Sequence, residues 1–323
     1  MKRRHLLAAT GGLLATPALA QGAWPSAKPI RFIATFPGGG FADTMARLLA
    51  EQLSQSIGQA VVVENRAGAA GTIGAAAGAQ AEPDGYTLVL SHSSPFGVAP
   101  GTYPNLPYHP VDSFTHMSLM AESANLLMVR ADSPIQTLAQ YLETARRQPL
   151  RFAHSGVGSM SHLMGEVLVT TANVPNLEHV PYRGSAPGLQ DLLGGRVESM
   201  MDPITTNVGL IRGGQVRVLA ISTPQRIPAF PDIPTFAEQG VAQLTNTTWA
   251  GLSAPVGLDP AIAARLTEAA VAGMRAPVVQ ERLQQVANYA PEPPVTGQAY
   301  ADFIRGFAET WGGAARAAGI VAG

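Results

Sequence analysis

Residues Ile30-Arg31-Phe32-Ile33-Ala34-Thr35-Phe36-Pro37-Gly38-Gly39-Gly40-Phe41-Ala42-Asp43 set the architecture. A short apolar strand over 30–35 runs into a glycine turn, and a helix opens behind it with Asp43 as the expected N-cap. Met45, Leu48, Leu49, Leu53 and Ile57 then recur at helical spacing, and Gly58 closes the helix. Working outward, 61–65 reads as a second strand, 73–81 as a helix of small residues, and 86–90 as a third strand ending at Ser91-His92-Ser93-Ser94. The order βαβαβ favours a parallel sheet with helices on its faces.

The pattern then restarts. Strands are expected at 126–129, 151–154 and 178–182, with helices over 138–147 and from Ser161 onward. Ser185 is placed as the cap of a further helix carrying Leu189, Leu192 and Leu193, which Gly194-Gly195 stops. Strands at 197–201 and 216–222 complete a second α/β unit, so the chain holds two similar halves and not one enlarged sheet. Asp259-Pro260 supplies an N-cap and first helical residue. Tyr300, Phe303, Ile304, Phe307 and Trp311 form one stripe of a late helix, read as core packing.

At the amino end, Lys2, Arg3 and Arg4 precede a short apolar run and the small residues Ala18 and Ala20. This is the layout of a secretory signal peptide over 1–20, cleaved after Ala20, and it implies a periplasmic location. Arg3-Arg4 also fits a twin-arginine signal, and the sequence leaves the route open. Cysteine is absent, which removes disulfides and thiolate metal sites. With a formal net charge of −1 and no basic run beyond the leader, nucleic-acid binding has no electrostatic support.

In parallel sheets, ligands bind beyond the carboxyl ends of the strands. The loops there are Gly38-Gly39-Gly40-Phe41, Ser91 to Ser94, Ser155-Gly156-Val157-Gly158-Ser159, and Tyr182-Arg183-Gly184-Ser185. They are rich in Gly and Ser, and several lead into helices, whose N–H groups and dipoles favour an anion. Enzyme readings each lack a part. No Gly-Lys-Ser/Thr follows the triple glycine, Gly156-Val157-Gly158 lacks a third glycine, and Gly184-Ser185-Ala186-Pro187-Gly188 misplaces the serine of a nucleophile elbow. Ser155, His162 and Asp202 could form a triad, but nothing in their spacing orients a base to a nucleophile. Histidines look scattered, with no H-E-x-x-H and no close His/carboxylate cluster, so neither a metal nor a cofactor is expected.

The chain resembles the receptors of tripartite tricarboxylate transporters, the Bug family, along essentially its whole mature length. Carrying the resemblance are Phe36-Pro37-Gly38-Gly39-Gly40-Phe41-Ala42-Asp43, Val61 to Gly68, Pro83-Asp84-Gly85-Tyr86, Ser155 to Ser159 with His162-Leu163, and Val180-Pro181-Tyr182-Arg183-Gly184-Ser185-Ala186-Pro187. Phe230-Pro231-Asp232-Ile233-Pro234-Thr235 and Trp249 to Pro255 continue it. The resemblance implies an α/β, two-lobed periplasmic binding protein of the type II fold, with the ligand cleft between the lobes. It implies a small organic carboxylate held mainly by backbone amides of Phe36 to Asp43 and Ser155 to Ser159. It also places Tyr182, Ser185 and Asp202 at cleft positions and offers Trp249 as either a cleft or a packing residue. Lobe 1 is expected over 21–125 plus 224–323 and lobe 2 over 126–223.

Two departures from the family pattern stand out. Gly38 replaces a second proline and Phe41 a small residue, so a preference away from the most highly charged acids is expected. Arg183 stands where a lysine is usual. The expected partners of a monomeric receptor are a membrane transporter or, alternatively, a sensor kinase of a two-component system. A secreted hydrolase using Ser155, Ser159 or Ser185 is the rival of a different class.

Overall fold

The computed structural model describes residues 24–322, so the leader read at 1–20 lies outside the described residues. The strands are β1 (Ile30–Ala34), β2 (Val61–Asn65), β3 (Thr87–His92), β4 (Phe114–Ser123), β5 (Asn125–Arg130), β6 (Leu150–His154), β7 (Leu177–Pro181), β8 (Ser199–Pro203), β9 (Val216–Ile221), β10 (Thr248–Pro255) and β11 (Asn288–Tyr289). They form two sheets, ordered β11-β4-β10-β3-β1-β2 and β7-β6-β8-β5-β9.

β1 is apolar almost throughout because it lies between two parallel partners, β2 and β3, and is covered on both faces. Helix α1 (Phe41–Ile57) makes the crossover to β2 and buries Met45, Leu49 and Leu53 against the sheet. Gly58, at φ 74°, ends it by donating its N–H to the Ser54 carbonyl. Helix α2 (Thr72–Ala79) returns the chain to β3, completing the βαβαβ unit. In the second sheet the parallel part is β7-β6-β8, with helices α3 (Leu138–Arg147), α4 (Met160–Ala172) and α5 (Ser185–Leu193) packed on it.

Each sheet also has an antiparallel portion that the periodicity did not reveal. β10 pairs antiparallel with β3 and β4, and β5 pairs antiparallel with β8 and β9. Register shifts at Ala250/Gly251 and Leu252/Ser253 interrupt the β4–β10 ladder, and both strands are buried on both faces, which removes the two-residue alternation by which a strand is recognised. The late stripe is core, as expected. In helix α7 (Gly297–Phe307), reached after helix α6 (Pro260–Arg275), Tyr300 and Phe303 pack edge-on against Trp249 at ring separations of 6.0 and 5.4 Å.

The strands pass between the sheets at two places, from β4 into β5 and from β9 towards β10, and the chain crosses once more after α7, whose Tyr300 and Ile304 pack on the first sheet. A buried amide and hydroxyl network joins these strands. Asn125 Nδ2 donates to Asn246 Oδ1 at 2.7 Å, Thr248 Oγ1 donates to Asn125 Oδ1 at 2.7 Å, and the Asn125 N–H donates to Ser222 Oγ at 2.9 Å. Every polar group so buried needs a partner, and here the partners come from both crossings. Phe236, Val241, Leu244, Trp311, Ala315 and Ile320 pack into the core beneath the second sheet.

Candidate ligand-binding cleft

The cleft forms where the carboxyl ends of the parallel strands of the two sheets face each other. β1 delivers Phe36 and Pro37, then Gly39 at φ 85°, and α1 begins at Phe41. β6 delivers Ser155, and β7 delivers Arg183 and Gly184 ahead of α5. A cavity of about 60 Å³ lies between them, lined by Phe36, Pro37, Gly38, Gly40, Phe41 and Ala42 from one side. Ser155, Met160, Ser161, Arg183, Gly184, Ser185, Ala186, Pro187 and Pro203 line the other, with His92, Ser94, Asn125 and Thr248 around it. A larger, adjoining cavity of about 840 Å³ shares Phe36, Pro37, Ser155, Arg183 and Gly184 and adds Gly156, Tyr182 and Tyr103.

The donors here are helix ends. The first N–H groups of any helix lack intrahelical partners and are normally met by a cap. α3, α4 and α6 have such caps, from Thr137, Ser159 and Asp259. α1 and α5, whose first turns line the cavity, have Gly40 and Gly184 at the N-cap and, like α2 and α7 elsewhere, no side-chain cap bond. Their dipoles meet at one small space. Arg183 also lines that space and makes no ion pair among the described residues.

Two expected caps are corrected by this geometry. α1 starts at Phe41, two residues before Asp43, whose Oδ2 accepts from the Gly39 N–H at 3.0 Å and from Arg47 Nε at 3.1 Å. Burial pushes the Asp43 pKa up, but bonds from Arg47, Gly39 and Asn65 outweigh it and hold the carboxyl below its ordinary value. Asp43 thus braces the glycine loop. Ser185 is the first residue of α5, and its hydroxyl donates to Asp202 Oδ1 in place of capping. Asp202 is fully buried and also accepts from Thr206 Oγ1 at 2.8 Å and Asn207 Nδ2 at 2.9 Å. Burial outweighs these bonds and raises its pKa to about 6.

The remaining expected residues divide by position. Phe36, Pro37, Gly38, Gly40, Phe41, Ser155 and Ser185 line the smaller cavity, and Gly156 and Tyr182 the larger. The Tyr182 hydroxyl donates to Asp191 Oδ2 at 2.7 Å. Ser91 is fully buried, with its hydroxyl 2.8 Å from Tyr300 Oη and 2.9 Å from Ser253 Oγ, so its placement in the cleft is corrected. Ser93 is likewise enclosed, and the residues from this segment that line the cavity are His92 and Ser94. Within β3 neighbouring residues face opposite ways, so the choice between Ser91 and His92 decides the face, whereas Ser93 and Ser94 lie past the strand in a helical turn. In β10 the same parity gives Trp249 the packing role of its two readings, fully buried under α7, while Thr248 lines the cavity.

Ser159 caps α4 by accepting from the His162 N–H, and His162 Nδ1 accepts from the Gly158 N–H at 3.2 Å. These three residues hold the loop behind the cavity wall. Asn125, Met160, Ser161 and Thr248 line the cavity without having been singled out, because they lie on elements whose meeting depends on the sheet crossing. The histidines are not scattered: the fold brings His154, His162 and His179 together. Burial lowers the His154 and His162 pKa values to about 3 and about 4 and lowers that of His179 against the opposing pull of Glu166.

A family model described as "Tripartite tricarboxylate transporter family receptor" matches residues 45–319. The chain belongs to the tripartite tricarboxylate transporter receptor family. This receptor is 34% identical to Protein BugT of Bordetella pertussis over 327 residues, covering 99% of each chain. It is similar to MatC of Rhodopseudomonas palustris, solved with bound malate, at 31% identity and TM-score 0.84, over 90% of this chain and 99% of that one. An R. palustris protein solved with adipate is 30% identical with TM-score 0.85, over 92% of this chain and 98% of that one. The two-lobed periplasmic binding protein fold and the Bug-type membership expected from the sequence are thereby shown. Among the described residues no helix is long and apolar enough to cross a membrane.

Proposed function

We propose that this receptor captures a small mono- or dicarboxylate between its lobes, with one carboxylate on the first turns of α1 and α5. The observation carrying this is the convergence of two uncapped helix N-termini, one from each sheet, on a single cavity. Each helix end contributes about 0.3–1 kcal/mol towards an anion, and up to about 2 kcal/mol when partly buried. Arg183 would meet a second carboxylate at the mouth, and Phe41 would favour an apolar or aromatic stem over further charge. Malate and adipate in the two related structures are acids of this class.

Closure of 126–223 onto the lobe built from 21–125 and 224–323 would present a joined surface to a membrane transporter. The boundary we propose is loosened where 236–244 and 311–320 pack on the second sheet. The protein would be exported by its leader, cleaved after Ala20, and would bind without turnover. Ser155 Oγ is paired with Ser161 Oγ at 3.0 Å and Ser185 with Asp202, so neither hydroxyl is bonded to an imidazole base. Calorimetry with a panel of acids and their neutral amides tests the reading. Selective, saturable binding of acids supports it, and equal binding of the amides or hydrolysis of an ester panel overturns it.

A further inference from the structure

Outside the cleft, α4 and the two strands beneath it assemble a second constellation. His154 ends β6, His179 lies in β7, and His162 and Glu166 are one helical turn apart on α4. The ring centroids of His154 and His162 are 4.4 Å apart, His162 and His179 5.1 Å, and His154 and His179 5.6 Å. One ligand atom from each imidazole lies within 4.8 Å of the other two. Glu166 Oε1 is 3.5 Å from Nε2 of both His162 and His179.

The hydrogen bonding leaves lone pairs unused. His154 is fully buried, its Nδ1 lies 3.1 Å from the Gly156 carbonyl, and its Nε2 has no partner. The same Nδ1 lies 3.4 Å from the Gly156 N–H, a longer contact that only the opposite tautomer could accept; in the tautomer that donates Nδ1–H to the carbonyl, Nε2 presents a bare lone pair, which is how the backbone usually orients a metal-bound imidazole. Neither ring nitrogen of His179 has a hydrogen-bond partner. Buried polar nitrogens without partners are rare and costly in a folded protein. Gly165 makes room for the arrangement, since a Cβ there would come within 2.7 Å of the His179 ring and 2.6 Å of the Phe152 ring.

We propose that His154 Nε2, His179 and Glu166, with His162 beside them, form a binding site for a zinc-class divalent cation. Imidazole nitrogens with one carboxylate suit zinc, whose ligands sit about 2.0–2.2 Å from the metal and hence roughly 3.3 Å from one another. The 3.5 Å spacing of Glu166 Oε1 from His179 Nε2 approaches that figure, and the three imidazoles, within 4.8 Å of one another, would have to draw in around the ion. His162 is the fourth donor only if its Nδ1 releases the Gly158 N–H, because metal on Nε2 would put the ring's proton on Nδ1. Glu166, 27% exposed, is the solvent-facing donor, while the ring nitrogens of His179 and Nε2 of His154 are enclosed.

The test is a titration of the purified protein, carrying no histidine tag, with Co2+ followed by its visible absorption and then competed with Zn2+. One equivalent of Co2+ giving a tetrahedral-type spectrum that Zn2+ abolishes is expected. His179→Gln and Glu166→Gln should each weaken binding at least tenfold while the far-UV circular dichroism spectrum stays the same. Glu166, being partly exposed, serves if the His179 variant does not fold. Absence of a stoichiometric signal in the wild type, or equal binding by a folded variant of either residue, overturns the proposal.

Discussion

Replacing Gly184 by alanine separates the two things that residue does. Gly184 has φ 92° and ψ −179°, a conformation that side-chain-bearing residues adopt at a cost of about 1–3 kcal/mol. That strain belongs to the second sheet's own loop and is present whether the lobes are open or closed. A Cβ would in addition stand 3.1 Å from Pro37 Cγ and 3.3 Å from Pro37 Cδ, across the cleft on the first sheet's loop. Carbon atoms prefer about 3.5–4.0 Å, so on the proposed closure of the lobes this contact is made in the closed form and relieved when the two loops part. One overpacked methyl at the low end of the usual range costs about 1–1.5 kcal/mol, a weakening of ligand Kd by about five- to tenfold.

Urea unfolding reads the strain and calorimetry with the bound acid reads the closure. Gly184→Ala should lose about 1–3 kcal/mol of stability and about five- to tenfold in affinity. Adding Pro37→Ala removes the ring carbons, so the double variant should recover the affinity that the contact costs but not the stability. The coupling energy between the two positions in binding should therefore be about 1 kcal/mol, against nearly none in unfolding. A destabilised Gly184→Ala protein that binds with wild-type affinity would refute the claim that Pro37 and Gly184 approach each other on closure.

Asp202→Asn should alter the pH dependence of stability. The folded carboxyl has its pKa raised from 3.8 to about 6, so its contribution is fully present below about pH 4 and is lost as pH rises through about 6. The wild-type advantage over the variant should shrink by about 3 kcal/mol across that window in urea melts, and a pH-independent difference would contradict it. Trp249→Ala should cost about 3–5 kcal/mol of stability by emptying the aromatic cluster under α7, with ligand affinity of the folded fraction unchanged. Phe41→Ala should improve binding of citrate relative to a monocarboxylate, measured by calorimetry, if the ring limits charge in the cavity. Asn125→Ala should lose about 1–3 kcal/mol, because Asn246 Oδ1 and Thr248 Oγ1 are left unpartnered inside the crossing.

What was legible in the sequence follows from how far each signal reaches. The parallel core could be read because β1 and β6 are short strands running into glycine-containing loops, and α1 and α5 carry regular apolar spacing stopped by Gly58 and Gly194. Local chemistry found the Asp259 cap, whose side chain accepts from two N–H groups. It misassigned Asp43 and Ser185, both good capping residues, since the tertiary structure claims their side chains for the Gly39 loop and for Asp202. β4 and β10 were hidden because both faces of each are covered, which leaves no two-residue alternation. Cavity residues such as Asn125 and Thr248 were hidden because their meeting depends on where the chain crosses between sheets. The histidine cluster escaped for the same reason, since its members come from three elements that only the sheet aligns.

The most direct measurement is calorimetry of protein refolded to strip carried-over ligand, titrated with a four- to six-carbon dicarboxylate, an aromatic monocarboxylate, citrate, and the neutral amides of each. The account predicts one-to-one, saturable binding of a mono- or dicarboxylate, loss of that binding in its amide, and weaker binding of citrate. Binding of the amide as tightly as the acid, or no heat from any acid, would contradict a cleft built from two helix N-termini to hold an anion.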